Sequence, residues 1–441
     1  MGNRTDKVRF NVRGKIFETS TATTLATECR NSMFGAMFDD AWKLQPRESV
    51  NEEEYFIDRD PDCFSVLLNL LGTGGLDVPS NVPEKLLYRE AHYYGLLDHV
   101  RKAKWGEFDS NRLSLAHTVS GRVPNDCEVI SASPDGGCAV AHGGVVRVYD
   151  WMLEEHPTLN LDYQRVNDIG WIDSDNIVIT VRQNLSRGVG GMGIFSSSTG
   201  ELKHRFQLTD GKDQVKGFTA GVLCLNSEGK IFANCKDTDK EGIGVWDQAT
   251  EKQINFFESF DGSCLDNVLK IQWLDASNCL FVYGVADNQS HINLLDFRDK
   301  NMVWSWPDDT KPSQSSYVQD IIPMEEINSI CVVDLYGTLG FLDLRGTKQS
   351  VRWNSNREGK IVNSYSYHPK LKFHGGQLFC SKDDNISVYC DALDQWVSTS
   401  SLERSQGGLI RDFSIGGDRL FALLSEKNVF DVWETPSAPI I

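Results

Sequence analysis

Val146-Arg147-Val148-Tyr149-Asp150 and Ile243-Gly244-Val245-Trp246-Asp247 follow one plan. Apolar residues three and one places before a bulky residue give a short strand that ends on a carboxylate. The bulky position recurs at Tyr149, Phe195, Trp246, Leu295, Leu342, Tyr389 and Trp433, at intervals of 46, 51, 49, 47, 47 and 44 residues. Asp follows it in four of the seven copies, at Asp150, Asp247, Asp296 and Asp343. A fixed period of this length marks a repeat architecture, in which each copy is one supersecondary unit and its neighbours cover its apolar faces. Short strands separated by glycine-rich turns, from about residue 110 onward, make that unit all-β.

These copies resemble the tryptophan-aspartate ends of WD40 repeats, in a degenerate form without the usual Gly-His dipeptide. The resemblance implies four strands per copy and a seven-bladed β-propeller over residues 112–436. Ser133-Pro134-Asp135-Gly136 is a turn of the kind such blades carry between inner strands. The last copy ends at Trp433-Glu434-Thr435-Pro436, with almost no chain left for an outer strand. The alternating segment Leu113-Ser114-Leu115-Ala116-His117-Thr118 is therefore expected to supply that strand and seal the ring.

The first hundred residues read differently. Val8, Phe10, Val12 and Ile16 alternate around Arg13-Gly14, which predicts a hairpin. Asn31-Ser32 precedes Met33, Phe34, Met37 and Phe38 at helical spacing, which predicts a short helix over 31–38. Tyr55-Phe56-Ile57 is a strand leading into the charged turn Asp58-Arg59-Asp60, and Pro61 can open the helix that follows, because the first turn of a helix has no use for its missing N–H. That helix runs through Phe64, Leu67, Leu68 and Leu71 to Gly72-Thr73-Gly74. Leu86-Leu87, Ala91, Tyr94 and Leu96-Leu97 predict a further helical stretch.

In order, Asn11-Val12-Arg13-Gly14-Lys15-Ile16-Phe17, Thr24-Leu25, Phe56-Ile57-Asp58-Arg59-Asp60-Pro61 with Phe64, Leu70-Leu71-Gly72-Thr73-Gly74 with Leu76, and Glu90-Ala91-His92-Tyr93-Tyr94-Gly95-Leu96 resemble the BTB/POZ domains of potassium-channel tetramerisation modules and of KCTD proteins. The resemblance implies an α+β BTB/POZ domain over residues 6–106. Two positions depart from the family pattern. Arg13 stands where a glycine is usual, so a different turn type is expected there. The block Leu71-Gly72-Thr73-Gly74 lacks an arginine whose guanidinium could bridge subunits. The whole arrangement is similar to plant BTB/POZ proteins with WD40/YVTN-repeat-like C-termini.

That family resemblance implies a substrate adaptor of a cullin-3 ubiquitin ligase that self-associates, as a tetramer or pentamer, and presents an unidentified protein target on its propeller. The alternative is an oligomeric scaffold that organises a channel or trafficking complex without cullin. Phe34, Met37, Phe38 and Phe64 are the candidate cullin contacts, since an aromatic anchor in a polar surround suits such a site. Asp58, Arg59 and Asp60 have two readings. One is a solvated turn whose Asp60 suits the positive end of a helix; the other, implied by the family, is a polar subunit interface.

Composition narrows the remaining classes. The formal charge is −18 and most of the excess lies beyond residue 108, which disfavours phosphate backbones and anionic lipids and favours basic protein partners. Neither nucleic acid nor membrane is expected as a partner, and no apolar run approaches the length of a bilayer span. Eleven scattered cysteines without a Cys-x-x-Cys pair fit a reducing compartment, cytoplasm or nucleus, and act as small buried hydrophobes. Gly188-Val189-Gly190-Gly191-Met192-Gly193 matches G-x-G-x-x-G, but a dinucleotide site needs that motif between a strand and a helix. Here it leads into Ile194-Phe195-Ser196, so a hairpin loop is expected. Without a catalytic motif the chain reads as a non-enzyme with no cofactor and no metal.

Overall fold

The computed structural model describes residues 7–20, 32–33, 54–105, 108–121, 127–161, 165–182, 191–209, 215–236, 241–260, 263–265, 267–286, 289–296, 298, 301–307, 318–345, 350–354, 369–392, 395–404, 407–425 and 429–436. The chain divides into two units, residues 1–108 with 435–441 and residues 109–434.

In the first unit β1 (Lys7–Val12) and β2 (Lys15–Ser20) form a hairpin, and β3 (Glu54–Ile57) pairs in parallel with β1. The two-residue loop is Arg13-Gly14, with φ of 46° and 89°. Both residues are left-handed, as a type I′ turn requires. The expectation of a different turn type is thus corrected, because Arg13 adopts the glycine-like conformation itself. Three hydrogen bonds hold it: Arg13 N–H donates to Ile57 O at 3.2 Å, Arg13 Nε to Asp58 Oδ1 at 2.7 Å, and Gly14 N–H to Asn11 Oδ1 at 2.8 Å.

Helix α1 (Pro61–Thr73) starts as the sequence dictates. Asp60 Oδ1 accepts from the N–H groups of Asp62 at 3.0 Å and Cys63 at 2.9 Å, and Pro61 occupies the first turn. Gly74 ends it in the left-handed conformation, donating to Leu70 O at 2.8 Å. Cys63, Phe64, Val66, Leu67 and Leu70 form its buried stripe. The stretch expected as one further helix is two, α2 (Glu84–Tyr93) and α3 (Leu97–Trp105), divided where Gly95 takes φ 68°. Of the helix expected over 31–38 only Ser32 and Met33 lie within the described residues.

The second unit is all-β. It opens with β4 (Ser114–Ser120) and continues through β5 (Cys127–Ala132), β6 (Cys138–His142), β7 (Val145–Tyr149) and β8 (Leu159–Asn160). Next come β9 (Arg165–Trp171), β10 (Asn176–Arg182), β11 (Met192–Ser196) and β12 (Leu202–Arg205), then the short ribbon β13 (Leu208–Thr209) and β14 (Val215–Lys216). The third group is β15 (Thr219–Leu225), β16 (Lys230–Lys236), β17 (Glu241–Asp247) and β18 (Gln253–Phe257), followed by a second ribbon, β19 (Ser259–Phe260) and β20 (Ser263–Cys264). Then follow β21 (Val268–Leu274), β22 (Cys279–Ala286), β23 (Gln289–Asp296) and β24 (Asn301–Pro307), and β25 (Val318–Met324), β26 (Ser329–Asp334), β27 (Leu339–Asp343) and β28 (Arg352–Trp353). The last are β29 (Leu371–His374), β30 (Gln377–Lys382), β31 (Asn385–Ala392) and β32 (Gln395–Glu403), with β33 (Ile410–Gly416), β34 (Arg419–Leu424) and β35 (Val429–Glu434).

Among the described residues these strands make seven four-stranded antiparallel sheets, and in six of them the order in space is the order in sequence. The seventh is β33-β34-β35-β4, so the first strand of the unit completes its last sheet. First strands of successive sheets adjoin, from β5 through β9, β15, β21, β25 and β29 to β33, which returns to β5. Every one of the seven repeat positions falls in the third strand of its sheet. Neighbouring sheets pack against these third strands; β11 is buried along its whole length.

Candidate functional site

Two places gather polar side chains on rigid elements. The first is the rim around the start of α1. Arg13 meets Asp58 there, Lys15 Nζ lies 3.0 Å from Asp62 Oδ1, and Arg59 Nε lies 3.3 Å from Glu90 Oε2. The Arg59 guanidinium also sits 3.7 Å from the centre of the Tyr93 ring. Burial raises the Glu90 carboxyl above its ordinary range, with Arg59 opposing. The N–H of Cys63 holds the Asp60 carboxyl below its range, as expected of a helix cap.

The structure thus gives each member of Asp58-Arg59-Asp60 a partner within the chain. Asp60 is a cap, Arg59 ties the β3–α1 turn to α2, and Asp58 clamps the hairpin. The Arg13–Asp58 pair is largely exposed, at 57% and 73% of the side chains. Beside it Ile16 and Phe56, exposed by 44% and 68%, both stand opposite Asn11 and so share one face of the sheet. Sequence reading passed over these two, although strand alternation held the signal: with Ile57 inward, Phe56 must face outward.

Of the four candidate cullin contacts, Phe34, Met37 and Phe38 lie outside the described residues. Phe64 is a correction. Its side chain is fully buried, with Phe17, Phe10 and Tyr94 rings at 5.0, 5.4 and 5.6 Å. An aromatic ring enclosed by three others is a core residue, and a charge placed there would cost the fold before it touched any partner.

The second place is the inner ring of the all-β unit, where three first-strand aspartates bridge neighbouring sheets. Asp168 Oδ2 accepts from Leu223 N–H at 3.0 Å, Asp320 Oδ2 from Leu371 N–H at 2.7 Å, and Asp412 Oδ2 from Ile130 N–H at 3.2 Å. In each the other oxygen accepts from the next residue of its own strand. Lys270 adds a third link, its Nζ 3.0 Å from Asp320 Oδ1. Burial raises the Asp168 carboxyl to about 6, whereas at Asp320 burial is outweighed by Lys270 and the other donors, so that carboxyl is lowered. These carboxylates already serve as acceptors between strands, which makes them structural.

The four repeat aspartates do something simpler. Asp150, Asp247, Asp296 and Asp343 each accept, through one oxygen, the backbone N–H two to four residues on, which shapes the turn out of the third strand. The glycine-rich motif is not a dinucleotide loop: 188–190 lie outside the described residues and Met192–Ser196 is a strand. Among the described residues no group of three or more His, Cys, Asp or Glu side chains could hold a metal ion, and no helix is long and apolar enough to cross a membrane.

Comparison with known families agrees with both halves. Residues 8–103 match the BTB/POZ domain, and residues 121–435 match the At2g24240-like C-terminal β-propeller. The chain belongs to the BTB/POZ proteins with an At2g24240-like propeller. Two Arabidopsis thaliana BTB/POZ domain-containing proteins, At2g24240 and At4g30940, are 56% and 55% identical to it over the full length of both chains. The human BTB/POZ domain-containing protein KCTD21 is more distant, 26% identical over 68% of this chain and 97% of its own length. BTB/POZ and propeller domains are both protein-interaction modules, and their union in one chain is consistent with an adaptor or scaffold.

Proposed function

We propose that this BTB/POZ–propeller protein is a substrate adaptor of a cullin-3 RING ubiquitin ligase. In this reading a BTB domain over residues 6–106 binds the cullin and further copies of the chain, and a seven-bladed propeller over residues 112–436 carries the target. The observation that carries it is the pairing of the two modules, one suited to assembly and the other to capture. Several propellers on one oligomer raise the effective concentration of a second binding site once the first has engaged, so weak contacts suffice. No catalytic residue is needed, because ubiquitin transfer belongs to the enzymes that the cullin recruits; the adaptor works in the cytoplasm or nucleus.

The exposed Arg13–Asp58 pair, with Phe56 and Ile16 beside it, supports a contact between copies through this face. The cullin contact is assigned to Phe34, Met37 and Phe38. The test is light scattering and calorimetry of the full chain with the N-terminal domain of cullin-3. Expected are a tetramer or pentamer, sub-micromolar binding, at least ten-fold weaker binding by a folded Phe34→Ala or Met37→Ala variant, and a smaller mass for Asp58→Arg. A well-folded oligomer that ignores cullin-3 would be the scaffold instead.

A further inference from the structure

Residues 109–113, with which the second unit begins, are pinned to a sheet they do not belong to. Arg112 N–H donates to Asp109 O and Asn111 N–H to Asp109 Oδ1, both at 3.0 Å, so the segment is a fixed turn. Ser110, 1% exposed, donates through Oγ to Gln377 Oε1. Asn111 Oδ1 accepts from Thr399 Oγ1 at 2.6 Å. Both anchor points belong to the sheet β29–β32, Gln377 at the start of β30 and Thr399 in β32. From there the chain enters β4 at Ser114, opposite Glu434, and completes the seventh sheet.

Thr399 owes its position to a bulge. Where the register between third and fourth strands shifts, one residue of the fourth strand is left without a partner: Lys203, Ile254, Val303, Thr399 and, in β4 itself, Ala116. Such a residue is turned out of the ladder. Ile254 and Val303 accordingly stand 53% and 55% exposed, whereas Thr399 holds Asn111.

The segment lies at a junction that the inner strands tie weakly. Asp168, Asp320 and Asp412 each carry a bond to the next sheet, and β29–β32 receives one at Leu371. The residue before Leu371, where an outgoing carboxylate would stand, is Lys370, and an ammonium group cannot accept an N–H of the seventh sheet. Ile410 N–H donates to Asp383 O at 2.7 Å beyond one end of β30, and residues 109–113 are bound at the other. Beyond its ladder with β35 and the Thr118–Asp431 bond, β4 has little to hold it, with every residue except Val119 exposed.

We propose that residues 109–113 are a strap that holds β4 in the seventh sheet, and that freeing the strap from β29–β32 opens the ring at this one seam. Each polar contact in it contributes modestly once exchange with water is counted. Segments with few buried apolar contacts open before the body of a domain does. Residue 109 is also where the chain passes from the first unit into the second, so a pull on that connection reaches the strap before it reaches any sheet. The seam is a built-in point of release for the propeller, and it stands whether or not the chain serves a cullin.

The test is hydrogen–deuterium exchange of the full chain, with a second readout from the binding of a fluorescein-labelled peptide of residues 109–120. Asn111→Ala and Thr399→Val remove one bond from its two sides, and both positions are exposed, so both variants fold. Amides of residues 114–120 and 429–434 are expected to exchange at least five-fold faster in either variant, and no faster still in the double variant, because the two residues act through one bond. Residues 219–236, in a sheet away from the seam, should keep their wild-type rates. Ser401→Ala, which removes the Asn385–Ser401 bond from the same strand, should leave the seam unchanged. The peptide should bind both strap variants at least ten-fold tighter than the wild type, whose own strand fills the place. Unchanged exchange at 114–120, faster exchange spread over the whole unit, or equal binding of the peptide by wild type and variants would overturn the proposal.

Discussion

Replacing Thr118 by Val tests the seam at which β4 completes the last sheet. Asp431, only 1% exposed in β35, has two side-chain partners: Thr118 Oγ1 donates to its Oδ1 at 2.7 Å, and Arg404 Nε lies 2.9 Å from its Oδ2. Thr118→Val keeps the volume and the β-branch and removes one donor from a buried carboxylate. A hydrogen bond to a charged group contributes about 1.5–3 kcal/mol. Nine of the eleven tryptophans lie beyond residue 108, so tryptophan fluorescence during urea unfolding follows mainly this unit. With a slope of about 3 kcal/mol/M the midpoint should fall by roughly 0.5–1 M. The loss should also depend on pH. Burial raises the Asp431 carboxyl, and both the Thr118 hydroxyl and Arg404 oppose that rise. A raised folded pKa means a contribution fully present below the unfolded value of about 3.9 and lost as pH rises through the folded value. Without Thr118 the folded value climbs further, so the variant loses more at pH 7.5 than at pH 4, where protonation of the carboxyl removes part of the difference. Thr118→Ser should retain most of the stability. A Thr118→Val loss below about 0.5 kcal/mol, the range of an ordinary surface change, would refute the account of the seam, as would an equal loss at both pH values.

Gly72 lies in the last turn of α1 with nothing within 4 Å of where a Cβ would stand, so Gly72→Ala should stabilise the first unit by about 0.5–1 kcal/mol. Gly74→Ala, at φ 72°, should cost about 1–2 kcal/mol; thermal unfolding followed by helical circular dichroism reads both, and a destabilising Gly72→Ala would mean that another copy fills that space. Asp168, raised to about 6, should titrate there in carboxyl-detected NMR. Its contribution to stability is present below about pH 4 and lost as pH rises through 6, so wild type should gain about 1 kcal/mol on Asp168→Asn between pH 8 and pH 5. No change in that difference would remove the buried-carboxylate account.

What the sequence made legible follows from how each position is packed. Tyr149, Phe195, Trp246 and their counterparts could be aligned because the apolar residue three places before each of them is buried in its third strand, a pattern visible without knowing the neighbours. In five sheets the register with the fourth strand shifts immediately before this residue, at Phe195, Trp246, Leu295, Tyr389 and Trp433. A bulge of this kind turns the strand and gives the bulky side chain its place, which explains why the spacing survives where the Trp-Asp wording does not. Asp168, Asp320 and Asp412 were invisible for the converse reason. Each accepts an N–H from a strand some 50 residues away or, for Asp412, from the far side of the chain, and an acid in a strand looks the same whether it faces water or a backbone amide. Phe64 was misjudged because the rings that enclose it come from β1, β2 and the end of α2, three elements whose convergence no local pattern encodes. Arg13 fails the residue preference of its turn and succeeds through Ile57 and Asp58, supplied by a strand and a turn more than forty residues later. The same argument locates the functional surfaces. Side chains that contradict their local pattern and are satisfied within the chain, as Arg13 and the inner aspartates are, have structural reasons. Phe56 and Ile16 are exposed with nothing in the described chain to account for them, and they are where partners should be sought.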